Sequence, residues 1–438
     1  MAERTIAVDA LARVEGEGGL RVTLSPDGAA RAEFTIFEAP RFFEALLRGR
    51  DAREAPDVTS RICGICPVAY VTSACRAVEA AWGVRTTPEI EALRRLLYCG
   101  EWIQSHVLHA AMLHAPDFLD LADSFALARR APGTVRRALR LKALGNAIME
   151  TIGGRAVHPV NTRVGGFFCA PDRGRIAALI PELEWGIEAA EALARDFAAF
   201  DFPEDAGEGV FLALVHPDRY PIEAGRIAVA GAASVDAAPF DADAFEAHAI
   251  ERQEDRSTAL HGRLADGSTY LTGPLARWAL NFERLSPESR ALAAALGLGP
   301  EARNPFRSIL LRMVEVREAA AEALRLARAY VPPDPPAAPV APRAGRGAGA
   351  SEAPRGLCWH AYETDAEGRI LSARIVPPTS QNQPRIEADV ARLAAAHAGL
   401  DDAALARLCE RAVRNHDPCI SCATHAFEVE IRREGAAR

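Results

Sequence analysis

The sequence predicts an α+β fold that is mainly α: a central bundle of long helices with small peripheral antiparallel β-sheets. Three observations carry this. Apolar residues recur at helical spacing over several long stretches from Pro88 onward. Two short segments alternate apolar and polar residues about turn-forming sequences. Several of the helical segments are apolar on more than one face, as helices inside a bundle are.

The first alternating segment places Leu20, Val22 and Leu24, then Ala32, Phe34 and Ile36, on either side of Ser25-Pro26-Asp27-Gly28, which reads as a β-hairpin. Ile90, Leu93, Leu96, Leu97, Ile103 and Val107 mark the first long helix, and further helices are expected over 135–149, 175–200, 245–264 and 305–330. The last carries its stripe at Ile309, Met313, Val316, Ala320 and Leu324. Residues 331–354 are rich in Pro, Ala and Gly and read as a surface loop. A second hairpin is expected over 358–376 around Asp365 to Gly368, followed by helices over 385–397 and 402–413.

A chain of 438 residues that is 49% hydrophobic has ample material for a core, and one domain over 1–438 is expected. The 51 basic against 59 acidic residues give a net charge of -8 without a basic block, which argues against nucleic acid as a partner. The first twenty residues show no basic segment followed by an apolar one, and no apolar run reaches the roughly 20 residues of a bilayer span. A cytoplasmic protein with no direct membrane span is expected. Nine cysteines, four of them in tight pairs, fit metal binding in a reducing compartment better than a disulfide framework.

The pairs are Cys63/Cys66, in Arg61-Ile-Cys-Gly-Ile-Cys, and Cys419/Cys422, in Asp417-Pro-Cys-Ile-Ser-Cys. Each can hold one soft metal through two thiolates. Spacing alone leaves three occupants open: a structural zinc of the four-cysteine type, a redox dithiol, or a catalytic metal.

The residues around the pairs carry more information. Arg61 to Pro67 and Asp417 to His425 resemble the two signature motifs of nickel-iron hydrogenase large subunits, one near each terminus. Five further blocks look similar to that family in its own order: Ala12 to Gly16, Phe43 to Arg50, Gly100 to His106, Gly153 to Pro159 and Glu352 to Gly356. The resemblance implies the fold of that large subunit and the reaction H2 to two protons and two electrons. It implies nickel on Cys63, Cys66, Cys419 and Cys422, with Cys66 and Cys422 bridging to an iron that carries carbon monoxide and cyanide. Glu15 would be the first proton relay, receiving from Cys419; the bland alternative is a carboxylate paired with Arg13. Arg355 would overhang the open metal position with Asp417 as its partner, against the alternative of a surface arginine. Pro354 and Thr379 would line the pocket of the diatomic ligands, and His158 would orient groups facing a proximal iron–sulfur cluster. Glu44 and His425 resemble a magnesium-binding pair, with a buried ion pair as the alternative. His106 and His109, spaced as i and i+3, read as core histidines without a metal role.

The chain departs from the family at Glu17 and Tyr70, where members often carry His, and at Ser105, where some carry an aspartate facing the arginine equivalent to Arg355. The other five cysteines are scattered and no Gly-rich dinucleotide fingerprint follows a strand. Electrons would therefore leave through an iron–sulfur small subunit and companion subunits of diaphorase type, carrying flavin and iron–sulfur groups. NAD(P) is the first choice of acceptor, ahead of a heterodisulfide reductase or a deazaflavin. Residues 426–438 resemble the tail that a maturation endopeptidase removes after chaperones insert nickel. A hydrogen-sensing homologue and a complex I-like electron-transfer scaffold are the alternatives.

Overall fold

Proline at the first helical position costs no hydrogen bond, and Pro67, Pro88 and Pro132 each open a long helix. The computed structural model describes residues 3–207, 209–231 and 238–424. Its helices α1 (Pro67–Trp82), α2 (Pro88–Val107), α3 (Pro132–Gly153), α4 (Ile180–Ala198) and α5 (Ser308–Arg328) form the centre. Helices α2 to α5 close a ring in which α2 packs on α3, α3 on α4, α4 on α5 and α5 on α2. Their shared core includes Leu93, Leu97, Leu141, Ile148, Leu183, Leu193, Ile309 and Val316, the apolar positions that the helical spacing picks out. The expected helix over 175–200 is broken, because a short helix at Arg173–Ala177 stops ahead of Pro181.

Three strands, β1 (Arg4–Val8), β2 (Gly18–Leu24) and β3 (Ala30–Ile36), make an antiparallel sheet whose second half is the expected hairpin. Gly28 N donates to Ser25 O at 3.0 Å and closes its turn. A second antiparallel sheet contains β4 (Gly345–Ala353), β5 (Gly356–Thr364) and β6 (Ile370–Val376), with β5 central. Helices α6 (Pro378–Ala396) and α7 (Asp402–Asn415) follow, α6 starting earlier than its periodicity suggests because Pro378 sits in its first turn. They bury Phe34, Ile386, Val390, Leu405 and Val413 in one core with the N-terminal sheet. Sequence ends thus become neighbours: Glu15 and Cys419 form a β-bridge, and Ile420 N donates to Glu15 O at 2.9 Å.

Two expectations fail. The supposed surface loop over 331–354 ends in β4, a buried strand laid against α1. Its glycines serve close packing: a Cβ on Gly347 would lie 2.2 Å from Ala81 N, and one on Gly349 would lie 2.6 Å from both Ala77 N and Ser73 O. Gly349→Val is therefore expected to lower stability by about 3 kcal/mol or more, since backbone on both sides must move. A melting temperature equal to that of the parent would show that strand and helix separate at no cost.

The helix expected over 245–264 is only a turn, Phe245–His248, followed by a strand pair at Ala249–Arg252 and His261–Leu264. Glu254, Asp255, Arg256 and Ser257 form the link, where Gln253 Nε2 donates to Ser257 O at 2.7 Å and closes a loop instead of a helical turn. One further sheet joins Val210–Val215 to Arg226–Ala230 antiparallel and to Tyr270–Leu271 parallel. Among the described residues no helix is long and apolar enough to cross a membrane.

Candidate metal centre

The two cysteine motifs are delivered by helix ends. Cys63 is extended after a 3-10 turn at Ser60–Ile62, and Cys66 is the residue immediately before α1. Glu101 from α2 caps that end of α1, accepting from Val68 N at 2.5 Å and Ala69 N at 3.2 Å. At the other terminus α7 stops at Asn415, Asp417 turns the chain in a left-handed conformation (φ 52°), and Cys419 opens a short helix at Ile420–Ala423. Arg41 ties the two motifs together, donating to Ile62 O at 2.8 Å and to Ser421 O.

Four sulfurs converge as a result. They lie within 4.8 Å of one another and none of the four residues is more than 2% exposed. Cys63 and Cys419 are 3.4 Å apart, Cys66 and Cys422 3.6 Å. A tetrahedron of metal–sulfur bonds near 2.3 Å has edges of about 3.8 Å, close to both separations. Cys419 and Cys422, at 2.6 Å, sit tighter than an ion would hold them. Burial pushes the thiols of Cys419 and Cys422 above their usual range, whereas hydrogen bonding, first to Cys419, holds Cys63 well below it. The four cannot all ionise unaided, and a cation supplies the missing charge. One helical turn after Cys66, the buried hydroxyl of Tyr70 has no hydrogen-bond partner among the described residues. The four buried thiols are soft donors and fit a thiophilic transition metal. Geometry alone accepts zinc as readily as nickel.

The structure brings several of the other residues named from the sequence close to these sulfurs. Glu15 Oε2 accepts from Cys419 Sγ at 3.1 Å and from Ser421 N at 3.0 Å. It is half-buried, and Arg13 pairs with Asp117 instead of with Glu15. Arg355 is 2% exposed, not a surface arginine. It sits with Pro354 in the two-residue turn between β4 and β5. Its Nη2 is 3.0 Å from Asp417 Oδ1, its Nε donates to Asp417 O at 2.9 Å, and its Nη1 donates to Ser105 Oγ at 3.3 Å. Burial works against that charge, but Asp417, then Cys419, Cys66 and Cys63, outweigh it and hold the guanidinium well above its ordinary value. Thr379 Oγ1 accepts from Cys419 N at 2.9 Å. His158, itself left-handed (φ 50°), donates from Nδ1 to Ser60 O at 2.7 Å, just ahead of Cys63. Glu44 accepts from Ile375 N at 2.7 Å and lies 3.8 Å from Arg374. His425 and the tail over 426–438 lie outside the described residues.

Sequence reasoning did not single out the ion network behind the turn. Arg277 bonds Glu315 through Nε at 2.7 Å and Nη2 at 2.8 Å, reaches Glu352 Oε2 at 3.0 Å, and donates to Ala353 O and Pro354 O at 3.0 Å each. Its partners are distant in sequence, so no local pattern announces them. His106 lies against Glu315 and Arg312, and His109 donates to Arg414 O at 2.8 Å.

Residues 41–133 match the profile of the family described as nickel-dependent hydrogenase. The chain is 32% identical over 429 residues to the alpha subunit of sulfhydrogenase 1 from Pyrococcus furiosus, covering 97% of this chain and 98% of that one. The chain belongs to the nickel-dependent hydrogenase family. A crystal structure of an NAD+-reducing NiFe hydrogenase superposes with a TM-score of 0.85 at 28% identity, covering 96% of this chain and 99% of the other. A Ni-Fe-Se hydrogenase from D. vulgaris Hildenborough, 22% identical with a TM-score of 0.77 over 97% of this chain and 100% of its own, shares the fold. Membership decides what geometry left open: this hydrogenase chain is a catalytic large subunit, an oxidoreductase that oxidises H2, and the family implies nickel and iron.

Proposed function

We propose that Cys63, Cys66, Cys419 and Cys422 hold the nickel, and that Cys66 and Cys422 are shared with an iron carrying carbon monoxide and cyanide. When bound, such a centre would supply heterolytic splitting of H2, whose overall outcome is two protons and two electrons. The observation that carries the reading is the 3.1 Å contact from Cys419 Sγ to Glu15. A proton on that sulfur has a carboxylate within reach, and because Glu15 is half-buried it also has a way out. Arg355 keeps a fixed positive charge beside the thiols, aimed by Asp417. Thr379 spends its oxygen on Cys419 N and keeps its own O–H to offer a diatomic ligand. The Pro354 carbonyl, gripped by Arg277, fixes the other wall of that pocket. His158 supports the backbone ahead of Cys63 on the side assigned to the partner's proximal cluster.

Glu44 and His425 are proposed to bind magnesium. Carboxylate-rich surroundings support this: Arg374, 3.8 Å from Glu44, is also 3.8 Å from Glu246 and 3.6 Å from Glu251. The chain would work in the cytoplasm with an iron–sulfur small subunit and diaphorase-type subunits, delivering electrons to NAD(P). The solved relative described as NAD+-reducing supports that acceptor. Maturation would involve nickel-insertion chaperones and an endopeptidase cutting after His425. The complex purified with its partners is expected to reduce NAD+ or NADP+ with H2, and its large subunit to end at His425 by mass spectrometry. Hydrogen-dependent dye reduction with neither nucleotide reduced would withdraw the acceptor, and a full-length mass in active enzyme would withdraw the processing.

A further inference from the structure

Arg355 must stay aimed over the thiols, yet among the described residues its only carboxylate contact is Asp417, since Ser105 offers a neutral hydroxyl. Asp417 itself stands in the left-handed backbone region, which aspartate enters more readily than most residues but which remains a minority conformation, so its partners help to hold it. One partner is Arg355 on Oδ1. On the far side, Oδ2, which accepts no hydrogen bond among the described residues, is paired by charge with Arg312 Nη1 at 3.5 Å.

Arg312 comes from the second turn of α5, on its buried side, and is 1% exposed. The same nitrogen donates to His106 Nδ1 at 3.3 Å, leaving His106 Nε2 3.0 Å from Glu315 Oε2. Burial, against the pull of Glu315, lowers His106 to about 4, which keeps the ring neutral and able to accept. Glu315, one turn along α5 from Arg312, holds Arg277, and Arg277 holds Pro354 O. The turn bearing Arg355 is thus gripped twice from one helix: through Glu315 and Arg277 at its backbone, and through Arg312 and Asp417 at its guanidinium.

We propose that Arg312 is a positioning residue for the metal centre, fixing the Asp417–Arg355 pair over the four thiols by holding the second oxygen of Asp417. This rests on the hydrogenase reading of the site. Its polar contacts are with Asp417 and His106, so it acts through Asp417 and not on the substrate. Removing its charge leaves a buried carboxylate shared by one guanidinium where two had held it, free to swing with Arg355.

The test uses the whole complex with Arg312→Gln, Arg312→Lys, Asp417→Asn and the double variant Arg312→Gln/Asp417→Asn. Arg312→Gln is expected to keep its nickel and iron, lose about 10- to 100-fold in kcat for H2 oxidation with KM for H2 little changed, and shift the nickel paramagnetic resonance signal. Arg312→Lys, which restores a cation to Asp417, is expected to recover most of the rate and the parent signal. In the Asp417→Asn background, adding Arg312→Gln is expected to cost little more, because the two act as one unit. Should Arg312→Gln alone not accumulate, the double variant, which removes both charges of the Arg312–Asp417 pair and leaves Arg355 as Asp417→Asn already does, is read against Asp417→Asn. A parent-like rate and nickel signal in Arg312→Gln, no recovery by lysine, or losses that simply add in the double variant would overturn the proposal. An unaltered complex without hydrogen turnover would count against the hydrogenase reading of the site instead.

Discussion

Glu15→Gln is expected to cut hydrogen turnover by about a hundredfold to ten-thousandfold while nickel and iron contents stay at the level of the parent enzyme. The expected size follows from what the substitution spares and what it removes. Glutamine matches the shape of Glu15, and its carbonyl oxygen can still accept from Ser421 N, now at 3.0 Å. The backbone bridge to Cys419 is untouched. What disappears is a group that can take a proton from Cys419 Sγ and release it from a half-buried position. Hydrogen uptake and metal analysis on one preparation check this together. Undiminished uptake would remove Glu15 from the mechanism, and metal loss would make its role structural.

Cys422→Ser is expected to be more severe at an earlier stage, leaving metal content at background and turnover undetectable. A serine hydroxyl does not ionise near neutral pH as a thiol does, and its hard oxygen suits nickel poorly. Three thiols would then have to hold a cation with less charge, and burial already pushes that of Cys419 above its usual range. Nickel and iron analysis of the purified variant decides the matter. Parent-level nickel in the variant would show that Cys422 is not a ligand.

These two predictions use residues that were legible before any coordinates, and the reason is physical. Metal ligands and proton relays need particular side chains beside particular backbone turns, so they travel in short recognisable blocks such as Arg13 to Gly16 and Asp417 to Cys422. Long helices were legible for a similar reason, since Leu93, Leu97, Ile309 and Val316 must repeat at helical spacing to face one core. Where the same letters serve two physical purposes, the reading failed. Glycine and alanine over 345–353 suggest a flexible loop, but there they let a strand lie directly on the backbone of α1. Phe245 to Leu264 holds enough apolar residues for a helix, yet its polar centre folds back into a loop between two strands. Arg277, Arg312 and Glu315 look like ordinary surface charges in a sequence that is 25% charged. Each is buried, and each finds its main partners far along the chain. Arg41, which joins the two cysteine motifs through backbone carbonyls, carries no signal of its own. Such contacts exist only once α5, the Pro354–Arg355 turn and both chain ends have come together.

The convergence of Cys63, Cys66, Cys419 and Cys422 on one nickel-iron centre is the claim on which the rest depends. Infrared spectroscopy of the purified complex, run beside nickel, iron and zinc analysis of the same sample, tests it most directly. The account predicts bands from carbon monoxide and cyanide together with nickel, and iron in excess of nickel because the partner subunits carry iron–sulfur groups. Zinc in place of nickel, with no such bands, would contradict it.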